Sequence, residues 1–363
     1  MANIAKRTDG SWRARYRDAH GREHSRHFTR KIDATQWLDS VAAAQAAGTY
    51  ADPKAGRISV AEYAQIWLTR QVQLKPSTRS RYRAIVRRHI DPAFGAVQLA
   101  QVERSAVSAW VVDLADAGLA APTVRHIHRV LHTMLNAAID DGRIARNPAS
   151  RVKLPRARTR DKRFLTHAQV ATLEGAAGDD RLIIRVLAYC GLRFGELAAL
   201  RVRNVDFLRR RLQIEESATE VDGRMVFGAP KSHQCRSVPV PRSLIEELAG
   251  ACAGKGPDDF VFSAPHGGVL WLRNWRRRVF EPAVAIAGLG DLSPHELRHT
   301  AASLAVAAGA NVKAVQRMLG HASAAMTLDV YSGLFDDDLD TVADRLDIAS
   351  QSARSLLPRH AAS

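Results

Sequence analysis

Residues 11–17 alternate: Trp12, Ala14 and Tyr16 fall on one side, and Arg13, Arg15 and Arg17 on the other. A period of two predicts a strand with an apolar face and a cationic face. Asp18-Ala19-His20-Gly21 supplies turn chemistry, and a second strand is predicted over 22–28. The alanine-rich stretch 31–47 predicts a helix stopped by Gly48. An arginine-faced sheet could lie in a DNA groove or simply face solvent, and the pattern leaves both open.

From 58 to 150 the apolar spacing is helical throughout. Ser59-x-x-Glu62 is a capping box opening a helix over 60–71. Pro76-Ser77-Thr78 starts a second, which carries Arg79, Arg81, Arg83, Arg87 and Arg88 and is expected to end before Pro92. A third is predicted near 105–117, stopped by Gly118, and a fourth over about 122–140, stopped by Gly142. Such helices suit a DNA-clasping bundle and equally a bundle with a salt-laced surface. Residues 151–163 hold seven basic residues against one acid, Asp161, with Pro155 and no apolar period. This reads as an inter-domain linker, and Arg156, Arg158 and Arg160 within it suit a strand running along phosphates.

Beyond the linker, Thr166-x-x-Gln169 is another capping box, and an apolar helix spans 181–190. Between about 205 and 240 the pattern becomes β-branched segments broken by Asp222-Gly223 and Gly228, which predicts a small antiparallel sheet. Helical spacing resumes from Pro241 to about Ser332. The acidic segment 336–347 is expected to be helical, either docked on a neighbouring subunit or solvated.

Charge sharpens this picture. The 363 residues predict two to three domains, and a hydrophobic fraction of 46% excludes general disorder. No stretch approaches the roughly 20 apolar residues of a membrane helix, and the first 17 residues have no apolar run for a signal peptide. Three scattered cysteines, Cys190, Cys235 and Cys252, exclude a disulfide framework, so the chain reads as soluble and cytosolic. The net charge is 53 − 37 = +16, which points to a polyanionic partner, most simply nucleic acid. A basic protein of an arginine-rich proteome is the bland alternative, and the Ala/Arg richness suits a GC-rich bacterial genome.

Three motifs mislead. His295-Glu296-Leu297-Arg298-His299 matches the zinc-hydrolase pattern H-E-x-x-H, but the longer form fails because Ala302 and Ala305 stand where Gly and His are needed. His266-Gly267-Gly268 lacks the G-x-S-x-G partner of a hydrolase and reads as a turn. Gly254-Lys255-Gly256 lacks the spacing and the Ser/Thr of a phosphate-binding loop, so ATP use is unsupported.

Another set of residues could handle a phosphodiester. Arg193 sits in a glycine-marked turn into a helix, where phosphate binds well. Arg298 is three residues after His295, so the two share a helical face. Lys231 lies at the expected tip between two strands, His321 follows Leu319-Gly320 at a helix end, and Tyr331 comes ten residues later. Two arginines can hold non-bridging oxygens, a histidine can move a proton, a lysine can protonate an alkoxide and a tyrosine can be a covalent nucleophile. Each residue alone is more often structural; the combination carries the weight.

That order, with the blocks GLRFGEL (191–197), APKSHQCRSVPV (229–240), SPHELRHTAASLAVAAG (293–309) and LGHASAAMTLDVYSGL (319–334), resembles the tyrosine recombinases of the phage-integrase family. The resemblance is strongest at the C-terminal end and weakest over the first 57 residues. It implies a mainly α multidomain fold with α+β parts. A small N-terminal arm-type DNA-binding domain (1–57) of three-stranded sheet plus helix would come first. A four-helix SAM-like core-binding domain (58–150), the basic linker (151–163), a mainly helical α+β catalytic domain (164–335) and a docking tail (336–363) would follow.

The resemblance further implies that Tyr331 attacks the scissile phosphate to give a 3′-phosphotyrosyl link, while Lys231 protonates the departing 5′-hydroxyl. Arg193 and Arg298 would clamp the phosphate, His295 would assist proton transfer, His321 would donate a hydrogen bond, and Glu196 and His299 would support the site. No cofactor or metal is expected. Arg13, Arg15, Arg17, Arg79, Arg81, Arg83, Arg87, Arg156, Arg158 and Arg160 are the expected DNA contacts. The partners implied are double-stranded attachment-site DNA, a homotetramer on it, an excisionase or directionality factor and a host DNA-bending protein. The expected setting is the nucleoid of a bacterial cytoplasm, with no membrane. The reading is thus a site-specific integrase of a phage or mobile element. The alternatives are a DNA-binding regulatory protein with lapsed catalysis and, far behind, a zinc hydrolase.

Overall fold

A computed structural model describes residues 2–18, 21–48, 50–52, 54–156, 163–230, 235–331 and 338–355. The chain divides into two compact units, Met1–Thr159 and Arg160–Ser363.

The first unit begins with strands β1 (Asn3–Lys6), β2 (Trp12–Arg17) and β3 (Glu23–Phe28), an antiparallel sheet in the order β1-β2-β3. The alternation read from the sequence sets its faces: Ala14 and Tyr16 are buried against Ala34 and Leu38 of helix α1 (Lys31–Ala46). The strand β1 carries no clear period-two signal and is visible only through its pairing with β2. At the far end of β2, His24 Nε2 and Asp18 Oδ2 lie 3.0 Å apart, and Arg22 bridges Asp18 and Asp52 at 3.0 and 3.3 Å. The amide of Asp52 donates to the Gly142 carbonyl at 2.9 Å, which ties this sheet to the helices that follow.

Those helices are α2 (Val60–Thr69), α3 (Pro76–Ile85), α4 (Asp91–Phe94), α5 (Arg104–Asp116) and α6 (Ala121–Asp140). The Ser59–Glu62 capping box opens α2, with Glu62 N donating to Ser59 Oγ at 3.2 Å. Along α6 the buried Val124, Ile127, Leu131, Met134, Leu135 and Ala138 follow the helical period and close on Tyr63, Trp67, Phe94 and Trp110. The expected stop before Pro92 needs correction, because the chain continues through a wide π turn, Val86–Ile90, into α4. The same device recurs at Arg276–Phe280 before Glu281-Pro282. A π turn moves the hydrogen-bond register by one residue, so a proline can follow without its ring striking the carbonyl four residues back.

The second unit starts with α7 (His167–Ala176) and α8 (Arg181–Cys190). A short helix, α9 (Phe194–Ala198), precedes strands β4 (Val205–Asp206), β5 (Arg211–Ile214), β6 (Ser217–Val221), β7 (Arg224–Gly228) and β8 (Arg236–Pro239). The single small sheet expected here is two separate ones: β4-β5-β8 and the hairpin β6-β7. Asp222 and Gly223 both have positive φ, 49° and 75°, the geometry that closes a two-residue hairpin with the twist of its strands. That tight turn lets β6 and β7 pair alone, while β5 skips past them to β8. Then come α10 (Arg242–Cys252), α11 (Leu272–Trp275), α12 (Glu281–Ile286), α13 (Pro294–Ala307), α14 (Val312–Leu319), α15 (Ala324–Tyr331) and α16 (Asp338–Ser355). The core centres on α8, against which α7, α10 and α13 pack. No described helix is long and apolar enough to cross a membrane.

Candidate active site

The site forms where the end of α8, the start of α9, the N-terminal half of α13 and the ends of α14 and α15 converge. Gly191 ends α8 with φ +65°, and a Cβ there would stand 2.8 Å from Leu319 Cδ2, so only glycine lets the chain turn this close to α14. The turn delivers Arg193 to the N-cap of α9. Glu196, three residues on, accepts from the Arg193 amide at 2.9 Å and from its Nη1 at 2.9 Å. Arg193 is therefore held at its amide and at Nη1, with its side chain 25% accessible.

Glu196 itself is 1% exposed. Burial would raise its pKa, but hydrogen bonds and charge from Arg236, and those from Arg193, hold it below the ordinary carboxylate value. Arg236 grips both of its oxygens, at 3.0 and 2.6 Å.

Helix α13 opens at Ser293, whose amide donates to Glu296 Oε2 at 2.6 Å. Its first turns carry His295, Arg298 and His299. Arg298 is 2% exposed; Nη1 donates to the Gly191 carbonyl at 2.5 Å and Nη2 to the Leu319 carbonyl. Both acceptors close a helix, where orphan carbonyls and the negative dipole end favour a cation. Burial, and then the charge of Arg193, push Arg298 down to about 9. It stays cationic at neutral pH.

Just past Leu319 the chain turns through Gly320 at φ +65° and presents His321, whose Nδ1 lies 3.0 Å from Thr327 Oγ1. Burial, followed by the charges of Arg298 and Arg193, lowers His321 to about 4, so its ring is neutral at pH 7. Its plane lies parallel to that of Tyr331, 6.4 Å away. Tyr331 is 1% exposed at the end of α15, and its hydroxyl is 2.8 Å from His299 Nδ1. Burial raises this phenol to about 12, against a smaller lowering by Arg298.

Arg193, Arg298, His299, His321 and Tyr331 are thus gathered about one point. His295 is exposed, its ring 5.0 Å from that of His299. It lines, with Arg193, a cavity of about 840 Å³ whose other walls include Arg273, Arg276, Arg277 and the apolar Phe194 and Met225. Lys231 lies outside the described residues, as do Arg158 and Arg160. Of the expected DNA contacts, Arg17, Arg79, Arg81, Arg83, Arg87 and Arg156 are exposed. Arg13 and Arg15 approach Glu23 at 3.7 and 3.8 Å, so their face of the sheet is partly neutralised.

The H-E-x-x-H pair has a different use here, since His299 meets Tyr331. Among the described residues the only set of three side chains with ligand atoms grouped for a metal is Asp18, His24 and Asp52, whose carboxylates Arg22 already bridges. Sequence reasoning missed Arg236. The signal was present: it shares the inward side of β8 with Val238, a buried arginine in register with a core residue.

Residues 163–337 match the phage integrase family, and residues 59–115 match the N-terminal SAM-like domain of phage integrases. The chain is 29% identical over 318 residues to the integrase of Mycobacterium phage L5, covering 83% of this chain and 84% of the relative. It is 32% identical over 230 residues to the tyrosine recombinase XerC of Mycobacterium sp. strain KMS, covering 60% of this chain and 74% of that protein. Among solved structures, the Tn1549 transposon integrase with transposon right end DNA aligns at a TM-score of 0.69 and 22% identity, over 80% of this chain and all (100%) of that one. A lambda integrase dimer bound to a core site aligns at 0.60 and 18% identity, over 90% and 94% of the two chains. The last two similarities concern the fold.

Proposed function

The chain belongs to the phage integrase family and is a site-specific tyrosine recombinase that breaks and rejoins DNA, and on that premise we propose that Tyr331 is its nucleophile. The observation that carries this reading is the convergence of Tyr331 and His299 with two arginine heads and a neutral imidazole.

The Tyr331 oxygen attacks the scissile phosphorus and forms a 3′-phosphotyrosyl bond as the P–O5′ bond breaks. His299, in hydrogen-bond contact, is placed to take the phenolic proton. Arg193 and Arg298 hold the non-bridging oxygens and offset the charge that grows as phosphorus becomes five-coordinate. Neutral His321 donates a hydrogen bond to the same group, and exposed His295 assists proton transfer. Lys231 protonates the departing 5′-oxygen. Rejoining reverses these steps: a 5′-hydroxyl attacks phosphorus and the phenol leaves. The phosphotyrosyl bond retains the energy of the phosphodiester, so no nucleotide is consumed.

The substrate is double-stranded attachment-site DNA, and the working form is a homotetramer on it. Solved relatives support both, since the Tn1549 integrase structure contains transposon-end DNA and a lambda integrase tetramer is bound to a Holliday junction. The N-terminal sheet binds arm-type sites, the helical bundle binds the core site, and the segment 336–363 docks on a neighbouring protomer. An excisionase and a host DNA-bending protein set direction, in the cytoplasm of a bacterial host. The deciding experiment incubates the protein, in EDTA, with supercoiled plasmid carrying the DNA that flanks its own gene, followed by an SDS quench. A covalent adduct from the wild type and none from Tyr331→Phe supports the assignment; an adduct from both overturns it.

A further inference from the structure

Arg236 is a buried charge for which the cleavage scheme has no use. It is 9% exposed. Taking two charges out of water is costly, and an apolar pair of similar volume would serve stability as well or better. Its contacts point to another role. Two of its nitrogens hold the two oxygens of Glu196 at 3.0 and 2.6 Å, and Nε donates to the Met318 carbonyl at 3.0 Å. Arg298 takes the next carbonyl, that of Leu319. Two guanidiniums therefore close consecutive carbonyls at the end of α14, one residue before the turn to His321. A Cβ on Gly320 would stand 2.8 Å from Arg236 Cδ, so the arginine stem also fills the space beside that turn.

The charge arrangement points the same way. Arg193, Arg236 and Arg298 face one carboxylate, Glu196, giving 3 − 1 = +2 around the site. Arg236 occupies both carboxylate oxygens, and the Arg193 guanidinium shares only Oε1 with it, its side chain staying partly exposed.

We propose that Arg236 is a positioning residue for phosphate cleavage: through Glu196 it fixes the Arg193 guanidinium, and through the Met318 carbonyl it fixes the turn bearing His321. This rests on the recombinase reading of the site. A fork held at three points restrains rotation in a way a single ammonium cannot. Misplacement of a clamping group by about 1 Å is enough for a loss of about 100-fold.

The test uses the full chain and the supercoiled plasmid described above, with three readouts: the single-turnover rate of adduct formation, plasmid affinity and Tm. Arg236→Lys keeps the charge and loses the fork. It should slow adduct formation about 10- to 100-fold, with affinity within about twofold. Glu196→Gln should do likewise. Combining the two should be no slower than the worse single variant, because both act through one link. The paired Arg236→Met, Glu196→Met replaces the ion pair with apolar volume, guards against a fold defect and should melt at or above the wild-type Tm yet remain slow. A Lys variant as fast as the wild type, effects that multiply, or a paired variant that is both stable and fast would each overturn the inference while leaving the recombinase reading intact. A wild type that forms no adduct would sink both.

Discussion

The Tyr331 hydroxyl and His299 Nδ1 are 2.8 Å apart, in a site where Glu196 is bound by the guanidiniums of Arg193 and Arg236. In the tautomer that leaves Nδ1 without a proton, the phenol donates to it in that contact. His299→Gln should therefore slow adduct formation by about 100-fold, the range of a single positioned base, with plasmid affinity unchanged. A rate within threefold of the wild type would remove His299 from the proton path.

Glu196 is hydrogen-bonded by the guanidiniums of two arginines of the site, Arg193 and Arg236. Glu196→Ala strands a buried Arg236 charge and should cost about 3–5 kcal/mol of stability. Urea unfolding of the two proteins would show it as a shift in midpoint with an unchanged slope. A loss under about 1 kcal/mol would mean that water reaches Arg236.

Gly191→Ala combines positive φ with a Cβ 2.8 Å from Leu319 Cδ2. The backbone term alone is about 1–2 kcal/mol, and crowding of the core adds about 1–3. Calorimetry should show a lower Tm. Cleavage should fall as well, because Arg298 holds the carbonyl of this residue.

His321 titrates near 4 when folded, against an ordinary value of 6.5. The unfolded chain therefore binds this proton first as pH falls, so stability should drop from about pH 6.5 downward and level off near 4. His321→Asn removes the titration and should flatten that limb of the Tm–pH curve. Parallel curves for the two proteins would rule out a buried, neutral imidazole.

Arg13→Ala with Arg15→Ala should weaken binding to arm-type sites while sparing cleavage at a core site. Both residues lie on the solvent side of β2, so the sheet should keep its Tm. Equal loss of both functions would contradict the arm-binding assignment.

Much of this was legible from residue patterns, for identifiable reasons. Capping boxes at Ser59 and Thr166 are local chemistry, and both open helices where expected. The apolar period of α6 is long enough to dominate its surroundings. The helix through Pro92 was not legible, because a π turn depends on which carbonyls are free, and no residue type announces that. The two-sheet arrangement escaped for a related reason: pairing of β5 with β8 across an intervening hairpin is set by distant contacts. At the site, the residues that resemble a known order could be named from that order. Arg236 offered only its place beside Val238 on the inward side of β8; its role comes from a carboxylate 40 residues away and a carbonyl 82 residues away, which no local pattern shows.

The enclosure of Tyr331 has a consequence for timing. Burial pushes the phenol up to about 12, so its oxygen is enclosed and protonated at neutral pH. Attack on a phosphate therefore requires that oxygen to be exposed and its proton to be taken up. Strand breakage becomes conditional on a substrate whose own contacts recover the cost of exposing and deprotonating that oxygen. Because attack and reversal are close in energy, what this fold must control is when the backbone of a chromosome is open.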